Sequence, residues 1–388
     1  METKQIQLEF GSEYKKCQIG DVINIPKNLK LENGFEINGF PIAFKTYGKL
    51  NEDRSNAVLI FHGLTADQYI AENNPVTKKE GWWEHMVGKK KPIDTDRFFV
   101  ICPNVLGSCM GSLGPKTINP KTKKPYSLGF PVITILDMAN YADFLLEEFG
   151  IKKLHSLIGT SMGGMIALQY LHLFPEKVGQ IIAISTALKH TAQNIAFNEV
   201  GRQAIISDPE FKKGNYYKDK SFPSNGLGIA RMIAHITYLS ETRLENKFGR
   251  SLQNKENLGF GFDVDFKIES YLRYQGFSFV SRFDPNSYLY LTRALDYFDL
   301  TEVLKKEKSG NSKNSKASQI KMLVVSFSDD WLFPTSEAKQ IVKAFSGSFE
   351  RFNVKEISFI EIKSDKGHDS FLIPNKQFES AVRGFLRS

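Results

Sequence analysis

A serine between glycines is the first residue of this chain whose setting suggests chemistry. Ser161 lies in the run Gly159-Thr160-Ser161-Met162-Gly163, which has the pattern G-x-S-x-G. The pattern is typical of a nucleophile elbow, in which a sharp strand-to-helix turn exposes the serine oxygen at the top of a sheet. From the local sequence alone, a closely packed strand–helix turn without chemistry remains the alternative.

A serine nucleophile of this kind needs an acid and a histidine, which follow it in the chain in that order. Asp330 and His368 each come shortly after an apolar, strand-like run, and so lie at the sheet edge where ligands bind. The sequence therefore predicts Ser161 as nucleophile, His368 as general base and Asp330 as the acid that orients the imidazole. Asp329 is the competing candidate for the acid.

Acyl transfer also needs two N–H donors that stabilise the oxyanion of the tetrahedral intermediate. The backbone of Met162, directly after the nucleophile, is one predicted donor. The second is expected in the loop after the first buried strand, at Leu64, with Gly63 or Thr65 as alternatives. We interpret the side chain of the preceding His62 as a packing or loop residue rather than a catalyst.

Elements that would position these residues recur along the chain. Continuous apolar runs, typical of strands buried on both faces, predict a mostly parallel sheet, with strands at 57–61, 97–102, 154–158, 180–184, 320–327 and 356–362. Helical spacing predicts helices at 162–172, from Met138 to Phe149 and from Ala338 to Phe345. Antiparallel strands are expected at one edge, between residues 6 and 47. This is the pattern of a doubly wound α/β fold with helices on both faces of its sheet. The chain order Ser161, Asp330, His368 is the one that an α/β hydrolase requires, so we expect that fold.

The strand–helix alternation stops between about residues 189 and 318. This stretch is rich in helical and aromatic segments, and we predict that it forms a helical lid inserted over the sheet. The core domain would then comprise residues 1–188 and 319–388, and the lid residues 189–318. The low-complexity segment 305–316 is predicted to be a linker.

Bulk properties exclude several classes of protein. The net charge of +8 comes from basic residues that are mostly scattered, which argues against nucleic-acid binding. Three cysteines without C-x-x-C spacing predict neither a disulfide framework nor a zinc site, and we expect no metal or cofactor. The N-terminus has no signal-peptide pattern, and no apolar run reaches the ~20 residues that span a bilayer. We therefore expect a cytoplasmic enzyme that acts on small molecules and binds no membrane.

Several segments resemble those of one enzyme family, the homoserine O-acetyltransferases of methionine biosynthesis. The likeness extends over nearly the whole chain and includes the lid; the segments are 104–115, 161–165, 197–205, 230–240, 269–276, 282–284, 291–297 and 367–372. The resemblance implies a ping-pong reaction in which Ser161 takes the acetyl group of acetyl-CoA and passes it to the hydroxyl of homoserine. It also implies a homodimer formed through the lid.

The resemblance further implies that Arg231, Tyr238 and Asp369 hold the acceptor amino acid. Helix geometry supports part of this, because a spacing of seven residues places Arg231 and Tyr238 on one face. An arginine suits the homoserine carboxylate and an aspartate its ammonium group. Without the resemblance, a salt bridge within the lid would be the favoured interpretation of Arg231.

The chain departs from the family pattern beside the nucleophile. Thr160 stands where the family usually has glycine, and Ile166 where it usually has glutamine. Succinyl-CoA therefore remains an alternative donor and serine an alternative acceptor. An esterase or thioesterase with the same triad is the alternative reaction, and a catalytically silent binding protein is the third hypothesis.

Overall fold

The computed structural model describes residues 7–8, 17–18, 21–218, 221–307, 318–346 and 352–388. Within these ranges the strands are β1 (Gln7–Leu8), β2 (Cys17–Gln18), β3 (Asp21–Lys30), β4 (Glu36–Tyr47), β5 (Ala57–Phe61), β6 (Val87–Gly88), β7 (Ile93–Asp94), β8 (Phe99–Pro103), β9 (Leu154–Thr160), β10 (Val178–Ile184), β11 (Ser318–Phe327) and β12 (Phe352–Ile362).

The α-helices in the same ranges are α1 (Ile135–Glu148), α2 (Met162–Leu173), α3 (Ala192–Ile206), α4 (Ser224–Tyr238), α5 (Glu241–Phe248), α6 (Lys267–Val280), α7 (Pro285–Tyr297), α8 (Thr301–Glu307), α9 (Thr335–Phe345) and α10 (Lys376–Leu386). Short 3₁₀ helices lie at Ser127–Gly129, Pro175–Lys177, Pro209–Gly214, Tyr216–Lys218 and Gly367–Leu372.

An eight-stranded sheet organises the core, in the order β12-β11-β10-β9-β5-β8-β4-β3. The six strands from β12 to β8 run parallel, and β4 and β3 are added antiparallel at one edge. The predicted mostly parallel sheet is confirmed. Each predicted strand overlaps an observed one, although β12 begins four residues earlier than expected.

The parallel strands form because their sequences can be buried on both faces. Every residue of β5 and β8 is buried, and so are the last five residues of β9 and β10. One apolar core contains side chains of α1, α2 and α9, and a second core contains α10 and Trp83. Helices thus cover both faces of the sheet, and the carboxyl ends of its strands share one edge.

Helices α3 to α8 occupy the chain between β10 and β11, where the lid was predicted. The division at residues 189 and 318 stays a prediction, and β11 begins at Ser318, the last residue assigned to the lid. The predicted linker is wrong at its start, because Lys305 and Lys306 lie in the last turn of α8. Residues 308–316 of that linker lie outside the described residues. Among the described residues, no helix is both long enough and apolar enough to cross a bilayer.

Candidate active site

The turn between β9 and α2 presents Ser161 at the top of the sheet. Ser161 has φ 54° and ψ −123°, which is a strained conformation for a residue with a side chain. Gly163 makes the turn possible, because a Cβ atom there would lie 2.1 Å from the carbonyl oxygen of Phe61. The sequence G-x-S-x-G therefore forms the strained strand-to-helix turn that it predicts.

The three predicted triad residues form one hydrogen-bonded chain. His368 Nε2 lies 2.9 Å from Ser161 Oγ, and His368 Nδ1 lies 2.8 Å from Asp330 Oδ2. The other carboxylate oxygen of Asp330 accepts hydrogen bonds from the backbone N–H groups of Leu332 at 3.1 Å and Phe333 at 2.9 Å. Oδ1 thus fixes Asp330 to the backbone, and Oδ2 faces the imidazole.

Burial separates the two candidate acids. Asp330 is 2% exposed and His368 is 4% exposed, whereas the neighbouring Asp329 is half-buried. The ion pair of His368 is with Asp330. The geometry therefore favours Asp330 over Asp329.

The carboxylates around His368 change its proton affinity. Burial alone lowers the pKa of the imidazole, but the charge of Asp330, its hydrogen bond and the charge of Asp369 together outweigh burial and raise the pKa above 6.5. A raised pKa means that the imidazole binds a proton more tightly than a free histidine. That property suits a base that takes the serine proton.

The loop after β5 lies directly against the nucleophile. A Cβ atom on Gly63 would lie 3.6 Å from Ser161 Cβ. The carbonyl of Gly63 accepts hydrogen bonds from His62 Nδ1 at 2.8 Å and from Ala66 N–H at 3.1 Å. In a trans peptide unit the N–H points opposite to the carbonyl, so these bonds also fix the direction of the Leu64 N–H. The use of Leu64 and Met162 as oxyanion donors stays a prediction.

His62 is fully buried and joins two loops. Its Nε2 accepts a hydrogen bond from the Val105 N–H at 3.2 Å, while its Nδ1–H donates to Gly63. Burial lowers the pKa of His62 to about 4, so the ring is neutral at physiological pH. The sequence predicts a packing or loop role for His62. In the structure it also orients the Gly63–Leu64 peptide next to the nucleophile.

A cavity of about 560 Å³ opens above Ser161 and contains the other predicted site residues. Arg231 and Tyr238 line it from α4, and Asp369 lines it from the loop of His368. The Arg231 guanidinium lies 5.4 Å from the centre of the Tyr238 ring, and its Nη1 donates to Thr65 Oγ1 at 3.1 Å. Burial raises the pKa of Asp369 above 3.8, and the charges of His368 and Arg231 partly offset this.

Arg231 makes no ion pair with a carboxylate among the salt bridges between described residues. The alternative that Arg231 forms a salt bridge within the lid is therefore not what the structure shows. Instead, the guanidinium packs on aromatic rings and lines the cavity. An anionic group that enters the cavity can pair with it.

The end of α4 is docked onto the triad loops. Gly367, with φ 71°, lets the backbones meet, since a Cβ atom there would lie 2.5 Å from the Ser240 N and 2.6 Å from the Tyr238 carbonyl oxygen. Trp331 Nε1 donates to the Leu239 carbonyl at 3.0 Å. The helix that carries Arg231 and Tyr238 is thus fixed relative to both His368 and Asp330.

Sequence reasoning missed two contributions to this cavity. Arg282, in the turn that follows α6, lines it and donates from Nη1 to the Thr65 carbonyl at 2.7 Å. Asp67, whose pKa burial raises to about 6, accepts from the Tyr69 N–H and the Asn74 side chain. No local pattern assigns a role to either residue, although Arg282 begins one of the segments that resemble the family, and their convergence from distant segments reveals them.

Comparison with known proteins identifies relatives over almost the full length. A family model described as the alpha/beta hydrolase fold matches residues 56–372. The homoserine O-acetyltransferase of Pelagibacter ubique is 53% identical over 367 residues, which cover 94% of this chain and 96% of that protein.

Solved structures show the same fold with two kinds of activity. The crystal structure of homoserine O-acetyltransferase from Bacillus anthracis has a TM-score of 0.82 at 27% identity and covers 95% of this chain and 98% of its own. The crystal structure of esterase E22 has a TM-score of 0.79 at 28% identity, with 94% and 98% coverage. The fold alone therefore does not separate acyl transfer from ester hydrolysis. The sequence identity of 53% to the homoserine O-acetyltransferase of Pelagibacter ubique says more about the reaction.

Proposed function

The chain belongs to the homoserine O-acetyltransferase family, whose fold is that of the α/β hydrolases, and we propose that it transfers an acetyl group from acetyl-CoA to the hydroxyl of L-homoserine by way of an acetyl-Ser161 intermediate. The products are CoA and O-acetyl-L-homoserine, an intermediate in methionine biosynthesis. The identity of 53% over 94% of the chain is the observation that carries this function. The hydrogen-bonded chain from Ser161 to Asp330 supports the mechanism.

The first half-reaction acetylates Ser161. His368 Nε2 takes the proton of Ser161 Oγ as that oxygen attacks the thioester carbonyl, and Asp330 stabilises the imidazolium. The N–H groups of Leu64 and Met162 stabilise the oxyanion. The C–S bond then breaks, and CoA leaves with the proton that His368 held.

The second half-reaction uses the residues on the cavity walls. The homoserine carboxylate pairs with Arg231, its ammonium group pairs with Asp369, and Tyr238 packs beside both. These contacts bring the hydroxyl to the acetyl carbonyl, where His368 accepts its proton. The oxygen attacks, Ser161 leaves with the proton, and O-acetylhomoserine is released.

The cavity volume suits these substrates. Its volume of about 560 Å³ falls within the range of small-molecule sites. Exposed side chains at its mouth, Lys79 from one loop and Tyr274 from α6, give a long donor such as acetyl-CoA a route to Ser161. The triad supplies nucleophile and base, so the proposed reaction uses no metal or cofactor. We place the enzyme in the cytoplasm, where free buried thiols such as Cys102 and Cys109 stay reduced.

Intact-protein mass spectrometry tests the mechanism directly. Mixed with acetyl-CoA alone, the protein should gain one acetyl group, and L-homoserine should then remove it more rapidly than L-serine does. The Ser161→Ala variant, which lacks the nucleophile, should stay unmodified. Rapid release of CoA by this variant in the presence of homoserine would contradict the acyl-enzyme.

The similarity to esterase E22 makes ester hydrolysis the second candidate function. A hydrolase would use water in place of homoserine and would turn over p-nitrophenyl acetate rapidly without an acceptor. Arg231 and Asp369 favour the transferase, because groups of opposite charge that line one cavity match a zwitterion. If water removed the acetyl group as quickly as homoserine, the esterase assignment would prevail.

We also propose that the enzyme is a homodimer that pairs through its lid. Phe260, Phe262 and Phe277 are exposed by 95%, 104% and 80%, and Arg273 Nη2 donates to the Phe262 carbonyl, which links the loop to α6. Exposed aromatic side chains of this size are costly in water and typical of an interface. Sedimentation should show a dimer that Phe262→Asp with Phe277→Asp converts to a monomer, whereas Phe35→Asp, on the β3–β4 turn, leaves it intact.

A further inference from the structure

A groove with a volume of about 500 Å³ lies where the lid meets the core, away from the active site. Ten described residues line it, from α3, α7, the 3₁₀ segment Pro209–Gly214 and the core segment 128–132. We call it the lid groove. None of these ten residues lines the cavity above Ser161, so the lid groove is a separate site.

Most of the lid groove is apolar. Tyr290 Oη donates to the carbonyls of Leu128 and Phe130 at 3.0 and 2.5 Å, which ties α7 to the core segment and shapes the groove. An apolar lining and a volume in this range are typical of small-molecule sites. Six of its lining side chains are apolar or aromatic: Leu128, Val132, Ile206, Phe211, Leu289 and Tyr290.

Part of this apolar surface is open to water. Leu128, Val132 and Ile206 are exposed by 44%, 41% and 47%. Exposed apolar side chains that converge on one groove are a feature of binding sites. A ligand with an apolar body of matching size would remove this surface from water, which is favourable.

The other four lining side chains are cationic, and two of them have carboxylate partners. Arg202 Nη2 lies 2.8 Å from Glu199 and its Nη1 lies 2.7 Å from Asp296. Lys212 Nζ lies 3.8 Å from Glu210. These two charges are thus balanced within the protein.

The remaining two cations are Lys213 and Arg293. Neither forms an ion pair with a carboxylate among the salt bridges between described residues. The half-buried Arg293 packs its guanidinium 5.7 Å from the centre of the Tyr297 ring. No aspartate or glutamate is among the ten described lining residues, so an anionic group that enters the groove meets net positive charge.

The backbone at one edge of the lid groove is strained. Lys212 and Lys213 have φ angles of 47° and 53°, in the left-handed region that is costly for residues with side chains. Contacts around the segment hold it there: Asn286 Nδ2 donates to the Gly214 carbonyl at 2.9 Å, and the Asp208 carboxylate accepts from two backbone N–H groups at 2.9 and 2.8 Å. Strain that the surroundings maintain in this way is more frequent at binding sites than elsewhere.

We propose that the lid groove is a second binding site of this protein, and that its ligand is a small monocarboxylate with an apolar body. The apolar side chains contact the body, and Lys213 and Arg293 pair with the carboxylate. A small inorganic anion would leave the apolar side chains in water, and an apolar cation would meet unbalanced positive charge. The site does not depend on the proposed acetyl transfer, so either can fail without the other.

Isothermal titration calorimetry with decanoate tests the proposal on the wild-type chain. Decanoate should bind, and decyltrimethylammonium, which has the same chain and the opposite charge, should bind at least about tenfold more weakly. Acetate, which has the charge without the apolar body, should give no measurable heat. Saturating CoA should leave the Kd of decanoate unchanged, because the lid groove shares no lining residue with the cavity above Ser161.

Variants of the lining residues locate the bound decanoate. Lys213→Gln with Arg293→Gln removes both unpaired cations and should raise the Kd at least about tenfold, as should Ile206→Asp, which places a negative charge in the groove. The matched control is Lys247→Gln with Arg250→Gln, which removes two exposed cations of the same lid that line neither the groove nor the cavity above Ser161. It makes the same change in net charge and should leave the Kd unchanged. Should the first double variant fail to fold, Arg293→Gln alone decides the matter.

Several outcomes would overturn the second site. They are the absence of decanoate binding to the wild type, equal affinity for decyltrimethylammonium, displacement of decanoate by CoA, and an unchanged Kd in the variants that lack Arg293. Sedimentation of Ile206→Asp, measured alongside, tests a different occupant. Conversion of a dimer to a monomer by this change would show that a second copy of the chain covers the groove, and the small-molecule site would then be wrong.

Discussion

The active-site cavity has two walls of different construction. On the core wall, Ser161, His368 and Asp330 are joined by hydrogen bonds of 2.8 and 2.9 Å, and the two titratable residues are nearly fully buried. On the lid wall, Arg231 and Tyr238 are half-buried, and the guanidinium stacks on rings at 4.6 and 5.4 Å. On the core wall the triad side chains hydrogen-bond to one another. On the lid wall the polar groups of Arg231 and Tyr238 face the cavity.

This difference separates chemistry from recognition. The triad side chains of the core wall find their hydrogen-bond partners within the protein, as expected for groups that act on both substrates in turn. On the lid wall, Arg231 makes no ion pair with a carboxylate of the described residues. Its charge is therefore available to bind the carboxylate of the acceptor substrate. Damage to the core wall should therefore slow both half-reactions, and damage to the lid wall should slow only the second.

The largest effect is expected from Asp330→Asn on the core wall. The amide keeps the shape of the side chain but removes the negative charge that stabilises the imidazolium of His368. It also replaces the Oδ2 acceptor that fixes the tautomer of His368, so both half-reactions should slow by about 10⁴-fold. Stopped-flow measurement of CoA release with acetyl-CoA alone, and then with homoserine, resolves the two rates. Asp329→Asn is the matched control and should change either rate less than about threefold, since the hydrogen bonds and the ion pair of His368 among the described residues are with Asp330 and Ser161.

His62→Leu should have the next largest effect. The variant removes the hydrogen bond to the Gly63 carbonyl, so the Leu64 N–H is free to turn away from the oxyanion; loss of one such donor costs about 10²–10³-fold. Both half-reactions should slow together, while the KM for homoserine stays constant. His62 is neutral well above its pKa of about 4, so the loss should not vary between pH 6 and 8.

A thermal melt monitors the stability of this variant. The Ala66 N–H still bonds the Gly63 carbonyl after the substitution, so the loop keeps one of its two anchors. A rise in the KM for homoserine without any slower acetylation would show that His62 supports the acceptor site instead of the oxyanion loop.

Arg231→Leu should weaken the binding of homoserine at the lid wall. Loss of a charge-assisted pair with the homoserine carboxylate, worth about 1.5–3 kcal/mol, should raise the KM for homoserine by about 10–100-fold. Acetylation of Ser161 by acetyl-CoA alone should stay within about threefold of wild type. Arg250→Leu, which removes an exposed arginine of the same lid that does not line the cavity, should change neither quantity. Equal damage to both half-reactions would contradict the division between the walls.

The core wall could be predicted from sequence and the lid wall only in part. Ser161, Asp330 and His368 each follow an apolar run at a strand end, so local patterns and chain order identify them. The contacts of Thr65 with Arg231 and Arg282 join segments more than 160 residues apart, and no local pattern encodes them. The close approach of Gly367 to the end of α4 depends on how lid and core pack together. Such packing is a tertiary property that strand and helix patterns leave open.

The smallest expected effect tests Asp369, which follows His368 in the chain but faces the acceptor. The pKa of His368 is raised above 6.5, with burial opposing and Asp330 and then Asp369 favouring the charged form. The base must be neutral to take a proton, so acetylation by acetyl-CoA should fall as pH decreases through a midpoint above 6.5. Asp369→Asn removes one raising charge and should move this midpoint to lower pH.

The same variant should also weaken the acceptor site, because the homoserine ammonium loses its carboxylate. The two readouts are independent: the pH profile of acetylation uses acetyl-CoA alone, and the KM for homoserine requires both substrates. Asp365→Asn, in the same loop and paired with Lys366, is the matched control and should leave both unchanged, since its carboxylate does not contribute to the pKa of His368. A higher KM with an unshifted profile would assign Asp369 to recognition alone. A lower pH midpoint together with a higher KM would show that the Asp369 carboxylate both raises the pKa of His368 and binds homoserine. The two walls would then meet at this residue.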